Sequence, residues 1–120
     1  MFLNFTNQPV GRWQKEQRDA AESFGPIEEL AFPKVDPEAE EAQIEALSEV
    51  YLKKIREKAG PGDVVLVQGE FTLAFLLVQK MKAEGLIPVS VCMKREVVET
   101  EEEGQIKREI HFRFVKFRRF

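Results

Sequence analysis

VVLVQGEFTLAF, residues 64–75, decides the fold. Val64 to Val67 is a short apolar run suited to a strand buried on both faces. Gln68, Gly69 and Glu70 interrupt it with two polar side chains and a glycine. Phe71 to Val78 then resumes an apolar pattern that continues as a helix, and the helix runs from about Glu70 to Glu84, with Gly85 as its cap. A buried strand therefore feeds a helix through a short polar turn.

The rest of the chain alternates in the same way. Phe2 to Phe5 reads as a first strand. Thr6-Asn7-Gln8-Pro9 stops it, because proline cannot continue a ladder. Trp13 to Phe24 fits a helix with Trp13, Gln17, Ala20, Ala21 and Phe24 on one face, ended by Gly25-Pro26. Ile27 to Phe32 is a weaker second strand. Asp36-Pro37 suits an N-cap followed by a first helical proline. A long amphipathic helix follows, Glu38 to Ala59, its stripe made by Ala42, Ile44, Leu47, Val50, Tyr51, Ile55 and Ala59. Gly60-Pro61-Gly62-Asp63 breaks it before Val64. Pro88 to Lys94 is a fourth strand. Glu96 to Thr100 and Ile106 to Phe117 then read as two strands joined by the charged turn Glu101 to Gly104. In the last of these Ile110, Phe112, Phe114 and Lys116 alternate with His111, Arg113, Val115 and Phe117, a period of two.

Strand–helix alternation predicts an α/β domain of three layers. It is Rossmann-like, with a mainly parallel sheet, right-handed crossovers, helices on both faces and a C-terminal antiparallel β-hairpin. One domain, residues 1–120, accounts for the chain; there is no repeat and no linker. The net charge is −3 over 120 residues, which argues against bulk affinity for duplex nucleic acid or membranes. Cys92 is the sole cysteine, so no disulfide framework or thiolate metal cluster is expected. The opening MFLNFTNQPV lacks the basic start of a signal peptide, and no apolar stretch reaches transmembrane length. A cytoplasmic protein without cofactor or metal is the expectation.

The architecture locates a site before any motif does. In an open doubly wound sheet ligands bind beyond the carboxyl ends of the strands, where strand order reverses. In the simplest order, 2-1-3-4, the reversal lies between the first and third strands. The loops there are Thr6-Asn7-Gln8 and Gln68-Gly69-Glu70. Gly69 would let the backbone approach a ligand. The start of the third helix offers amides and a positive dipole end for an anion, with Glu70 and Thr72 adding acceptors and a hydroxyl. The structural reading of the same stretch is that Glu70 merely favours the helix dipole and Gln68 turns the chain. No G-x-G-x-x-G and no Walker lysine is present.

Lys94 and Arg95 follow the fourth strand on the side of those loops and are candidate phosphate contacts; solvated charge is their plain reading. Arg12 and Trp13 open the first helix, and Trp13 suits either a core or a stack on a base. His111, the lone histidine, sits on a strand and reads as surface or packing; without a second histidine, metal hydrolase chemistry is not expected. The basic, aromatic tail around Phe112 to Phe120 reads as a charge-protected edge strand, a dimer strand, or a single-strand nucleic-acid surface.

FLNFTNQP, the tryptophan soon after it, VDPEAE, VLVQGEFTLAF and the closing FRFVKFR together resemble small stand-alone CRISPR-associated proteins with a CARF-like fold. The resemblance covers nearly the whole chain. It implies a homodimer that binds a cyclic oligoadenylate second messenger across its twofold axis in type III CRISPR signalling, as some members do while cleaving it as ring nucleases. It also implies that Thr6, Asn7, Gln8, Gln68, Gly69, Glu70 and Thr72 contact the ring. The position after the asparagine more often holds histidine in that group. Gln8 stands there in this chain, and glutamine cannot exchange a proton near neutral pH.

A metal-independent ring nuclease places the ribose 2′-oxygen in line with the 5′-leaving oxygen and stabilises phosphoryl charge. Amide donors and a basic side chain can do this slowly, so a slow enzyme and a sequestering binder share one sequence pattern. The alternative class is a non-catalytic protein-interaction module whose C-terminal strand pairs with a partner.

Overall fold

Two four-residue strands form the centre of the molecule. In the computed structural model, which describes residues 1–120, β1 (Phe2–Phe5) and β3 (Val64–Val67) are buried at every position. They pair in parallel, from Phe2 beside Val64 to Phe5 beside Val67. β2 (Ile27–Glu29) lies on the other side of β1, and β4 (Ile87–Glu102) lies beside β3, both parallel. β5 (Gln105–Arg119) closes the sheet antiparallel to β4. The order is β2-β1-β3-β4-β5, so the sheet is mixed, with the expected reversal between β1 and β3.

Alternation along the central strands supplies two cores. Leu3, Phe5, Val65 and Val67 meet α2 (Glu41–Lys58) and α3 (Phe71–Ala83) through Ile44, Leu52, Ile55, Leu73, Leu77 and Met81. Phe2, Val64, Leu66 and Val89 face the other way, onto Trp13 and onto Ala21 of α1 (Lys15–Glu22). Both faces are covered, as near-continuous apolar strands require. Lys80 of α3 ties the two helices together, donating to Glu45 (2.6 Å), Glu49 (2.5 Å) and the buried Ser48 hydroxyl (2.6 Å) of α2. No helix is long and apolar enough to cross a membrane.

Several boundaries differ from the sequence expectation. α1 begins at Lys15, after a 3-10 turn at Val10–Arg12. Trp13 therefore precedes the helix. It is buried with its indole edge on Phe2, and its N–H donates to the Gln8 carbonyl (3.1 Å). Burial removes it as a base-stacking residue. Phe24 lies beyond the helix end and is half exposed. α2 begins at Glu41 instead of Glu38 because two local motifs divide the segment. Asp36 accepts from the Glu38 amide (2.9 Å) in a turn, and Gln43 reaches back to the Glu40 amide (2.7 Å). Its inward positions are Ile44, Ser48, Leu52 and Ile55, whereas Val50 and Ala42 face solvent. β2 is assigned only to Glu29, although the amides of Leu30 and Phe32 still bond to Asn4 and Thr6 carbonyls.

The largest difference is at the C-terminus. The two expected strands Pro88–Lys94 and Glu96–Thr100 are one, Ile87–Glu102. The turn is the two residues Glu103 and Gly104, both at positive φ (51° and 77°), the arrangement whose twist matches a tight hairpin. β3 accompanies β4 only as far as Val89. Beyond that β4 and β5 continue past the carboxyl end of β3 as a two-stranded ribbon.

A bulge sets the ribbon's faces. Cys92 pairs with Lys116 and Met93 with Phe114, which leaves Val115 unmatched. Strict alternation would put Phe114 and Phe117 on opposite faces. The extra residue brings them onto one face, ring centroids 5.0 Å apart, with Phe117 against Phe2 at 5.0 Å. At this point Gln14 pins the edge strand. Its amide nitrogen donates to the Phe112 carbonyl (2.5 Å) and its oxygen accepts from the Phe114 amide (2.9 Å). The side chain thus takes the place of a neighbouring strand's peptide.

Gln14→Ala should cost about 1–2 kcal/mol, the worth of two largely exposed hydrogen bonds, read by chemical denaturation. It should also speed hydrogen exchange at the Phe114 amide selectively. Unchanged protection of that amide would refute the pinning role.

Candidate functional site

The reversal in strand order sets the ends of β1 and β3 side by side, and the polar loops after them line separate recesses, Thr6 and Asn7 one, Gln68 and Gly69 another. The Gln68 amide donates to the Phe5 carbonyl (3.2 Å), so the chain leaves β1 and β3 side by side. The first loop is held from within. Thr6 donates to Asn4 Oδ1 (2.7 Å), Asn4 Nδ2 donates to the Gln8 carbonyl (2.8 Å), and the Gln8 amide donates to Thr6 Oγ1 (3.0 Å). Asn4 and Thr6 are buried, and their side chains are spent on this network. Thr6 shapes the loop. The side chains of Asn7 and Gln8 are exposed and make no hydrogen bond within the chain. Asn4 was missed in the sequence; an asparagine inside an apolar strand, two residues before a threonine, was its signal.

Gly69 is explained by Phe32. A Cβ built on Gly69 would lie 2.2–2.4 Å from three carbons of the Phe32 ring. Phe32 is buried and its centroid is 4.8 Å from that of Phe5, which also meets Tyr51 at 5.9 Å. The close backbone approach expected for a ligand is taken by the protein's own phenyl ring. A substitution here disturbs the core.

Glu70 closes the adjacent helix end. Its carboxylate accepts from the amides of Thr72 (3.0 Å) and Leu73 (2.9 Å) and from the Thr72 hydroxyl (2.8 Å). The bond from the Leu73 amide, then those from Thr72, hold the Glu70 carboxyl below its ordinary value. Two of the amides expected to receive an anion, those of Thr72 and Leu73, are satisfied internally, and the Thr72 hydroxyl is oriented by the same carboxylate.

Three recesses surround these loops. A small one, about 120 Å³, lies between the β1 loop and the chain after β2 and is lined by Asn4, Thr6, Asn7 and Glu29. A second, about 470 Å³, opens beside Gln68 and Gly69 toward Ser90 and Phe120. The third, about 840 Å³, is an apolar groove between α2 and α3 with Glu41 and Glu45 among its lining residues. Thr72 belongs to this groove, not to the loops. Phe71 (88% exposed) and Phe75 (63% exposed) line both larger recesses. They form a ridge that the sequence analysis left unremarked. Its signal was a helix apolar on more than one side, with Phe71 and Phe75 outside the Leu73–Leu77 face.

Lys94 and Arg95 lie inside β4, paired across the ribbon with Arg113 and Phe112, and so do not flank the loops as residues following a strand. Arg12, in the turn after Pro9, is exposed and makes no ion pair. His111 is on the ribbon, 3.1 Å from Glu109.

A family model described as "Uncharacterized protein MJ1673 family" matches residues 1–118, and the chain belongs to that family. No curated protein and no solved structure matches it.

Gly69→Ala should destabilise the fold by about 1–3 kcal/mol, the usual cost of forcing an atom into a packed site. Trimming Phe32 to leucine in the same chain should recover part of that loss, a coupling read from a double-mutant cycle. Additive effects would reject the Phe32 explanation.

Glu70→Ala should cost about 1 kcal/mol as a lost cap. Because the folded carboxyl titrates below its ordinary 4.5, its contribution is complete above that pH and disappears as pH falls through the lower folded value. The variant's stability should therefore approach the parent's in acid. A gap that persists unchanged at pH 2 would contradict this.

Proposed function

We propose that this MJ1673-family chain is a homodimeric, Rossmann-like (CARF-like) binder of a cyclic oligoadenylate messenger of type III CRISPR signalling. The observation that carries the reading is that the ends of β1 and β3 lie side by side at the reversal in strand order, with uncommitted amide side chains on Asn7 and Gln8 after the first and an exposed Gln68 after the second. Ligands of doubly wound sheets bind at this place. The resemblance of FLNFTNQP and VLVQGEFTLAF to the CARF-like group points to the same loops.

In this reading the contacts differ from those the resemblance implies. With the α3 amides engaged by Glu70, ring phosphates are held by Asn7, Gln8 and Gln68 and by the guanidinium of Arg12. Bases stack on Phe71 and Phe75, since aromatic faces accept any base. A ring too large for one recess is enclosed by two copies.

Cleavage at this site, where it occurs, is metal-independent and slow. The 2′-hydroxyl oxygen bonds to phosphorus, the bond from phosphorus to the 5′-oxygen breaks, and the proton lost at O2′ is balanced by one gained at O5′. The products are a 2′,3′-cyclic phosphate and a 5′-hydroxyl. Orientation and charge stabilisation are the contributions these side chains make, and no histidine stands in the loops to move a proton. Sequestration is therefore the primary act. The second reading, a non-catalytic interaction module, draws on the exposed apolar residues of the ribbon.

Isothermal titration with cyclic tri-, tetra- and hexa-adenylate tests the proposal. One of the rings should bind, and Asn7→Ala should weaken it by about 1–3 kcal/mol if the amide becomes a buried partner. Arg12→Ala should reduce the salt dependence of affinity. A parent that binds none of the rings defeats this reading in favour of the second.

A further inference from the structure

The β4–β5 ribbon has two unlike faces. Across it Arg95 pairs with Phe112, Val97 with Ile110 and Glu99 with Arg108. These residues share the face of Phe114, which at the ribbon's base is buried against Phe117 on the α1 side. Further out nothing covers that face: Val97 is 52% exposed, Ile110 53% and Phe112 56%. The opposite face is charged and pairs its own residues, Arg113 with Glu96 and Lys107 with Glu102. A two-stranded ribbon in water is marginal on its own, and an apolar stripe along one is the mark of an interaction surface.

We propose that this stripe is the seat of a second copy of the chain, packed face to face about a twofold axis running along the ribbon. Such an axis sets β4 of one copy over β5 of the other. Val97 then meets Ile110 of the second copy, Glu99 meets its Arg108, and the otherwise unpaired Arg95 lies on its Phe112, a cation over an aromatic face. Each contact occurs twice, as an isologous interface requires. Charge and apolar surface are both self-complementary in this one arrangement. Turning the axis across the ribbon instead would set Met93 against Glu101.

The size is also sufficient. From Met93 to Glu102 the ribbon rises about 33 Å and is about 10 Å wide, about 300 Å² in plan. Corrugated by side chains, that is on the order of 600 Å² per partner, the lower edge of stable interfaces. The pairing needs no nucleotide, so it stands or fails separately from the messenger reading.

Sedimentation of the ligand-free protein tests it. The parent should sediment at twice the 13.9 kDa chain mass. Val97→Lys and Ile110→Glu should each sediment as monomers with unchanged far-UV circular dichroism. An equimolar mixture of the two should dimerise, since the new ammonium of one copy faces the new carboxylate of the other. Should either variant unfold, Ile106→Glu, which meets Glu101 of the second copy, takes its place and should be monomeric. A monomeric parent, variants that remain dimeric, or a mixture that remains monomeric would overturn the proposal.

Discussion

The contact on which the structure depends is the pairing of β1 with β3. Eight side chains on these strands are buried, and neither strand has a polar face to offer solvent. Once paired they demand a layer of helix on each side, and the chain supplies α2 and α3 for one, Trp13 and α1 for the other. The same pairing sends both following loops out at one point. Phe32 then seals that point by lying against Gly69 and Phe5. Fold and site therefore share one origin.

What the sequence made legible follows from how local each signal is. Val64–Val67 and Phe2–Phe5 were readable to the residue, because apolar runs flanked by Pro9 or by Gly60 to Asp63 admit few alternatives. The alternation of strands and helices was readable for the same reason. Helix starts were less so: Asp36-Pro37 and Glu40/Gln43 both carry cap chemistry, and only packing chooses between them. The single long β4 was hidden by its charges. The run Lys94-Arg95-Glu96 resembles a break between two strands until the cross-strand partners Arg113, Phe112 and His111 are in place.

The candidate site was half legible. The adjacency of the β1 and β3 ends, from which the two loops leave, followed from strand order. The occupancy of those loops did not, since it depends on a ring thirty-seven positions before Gly69 and on a carboxylate that folds back onto its own helix. Burial of Thr6 and exposure of Phe71 and Phe75 are likewise tertiary facts. The outcome is a pair of loops in which Glu70 engages the Thr72 and Leu73 amides while the Asn7 and Gln8 side-chain amides make no hydrogen bond within the chain.

Val115 carries a consequence for how the chain can change. Because it has no partner across β4, it acts as a phase-shifter between the body and the projecting ribbon. On the body side Phe117 points to α1; on the ribbon side Phe114, Phe112 and Ile110 do. Were Val115 instead to enter the ladder opposite Met93, the Arg113, His111 and Glu109 side chains would share a face with Met93 and Val97, and like would no longer lie beside like across the strands. Loss of Val115 would restore plain alternation between Phe114 and Phe117 and leave the other cross-strand pairs and both cores in place. The ribbon's surface chemistry thus depends on Val115 staying outside the ladder, a condition to which the body's packing is indifferent.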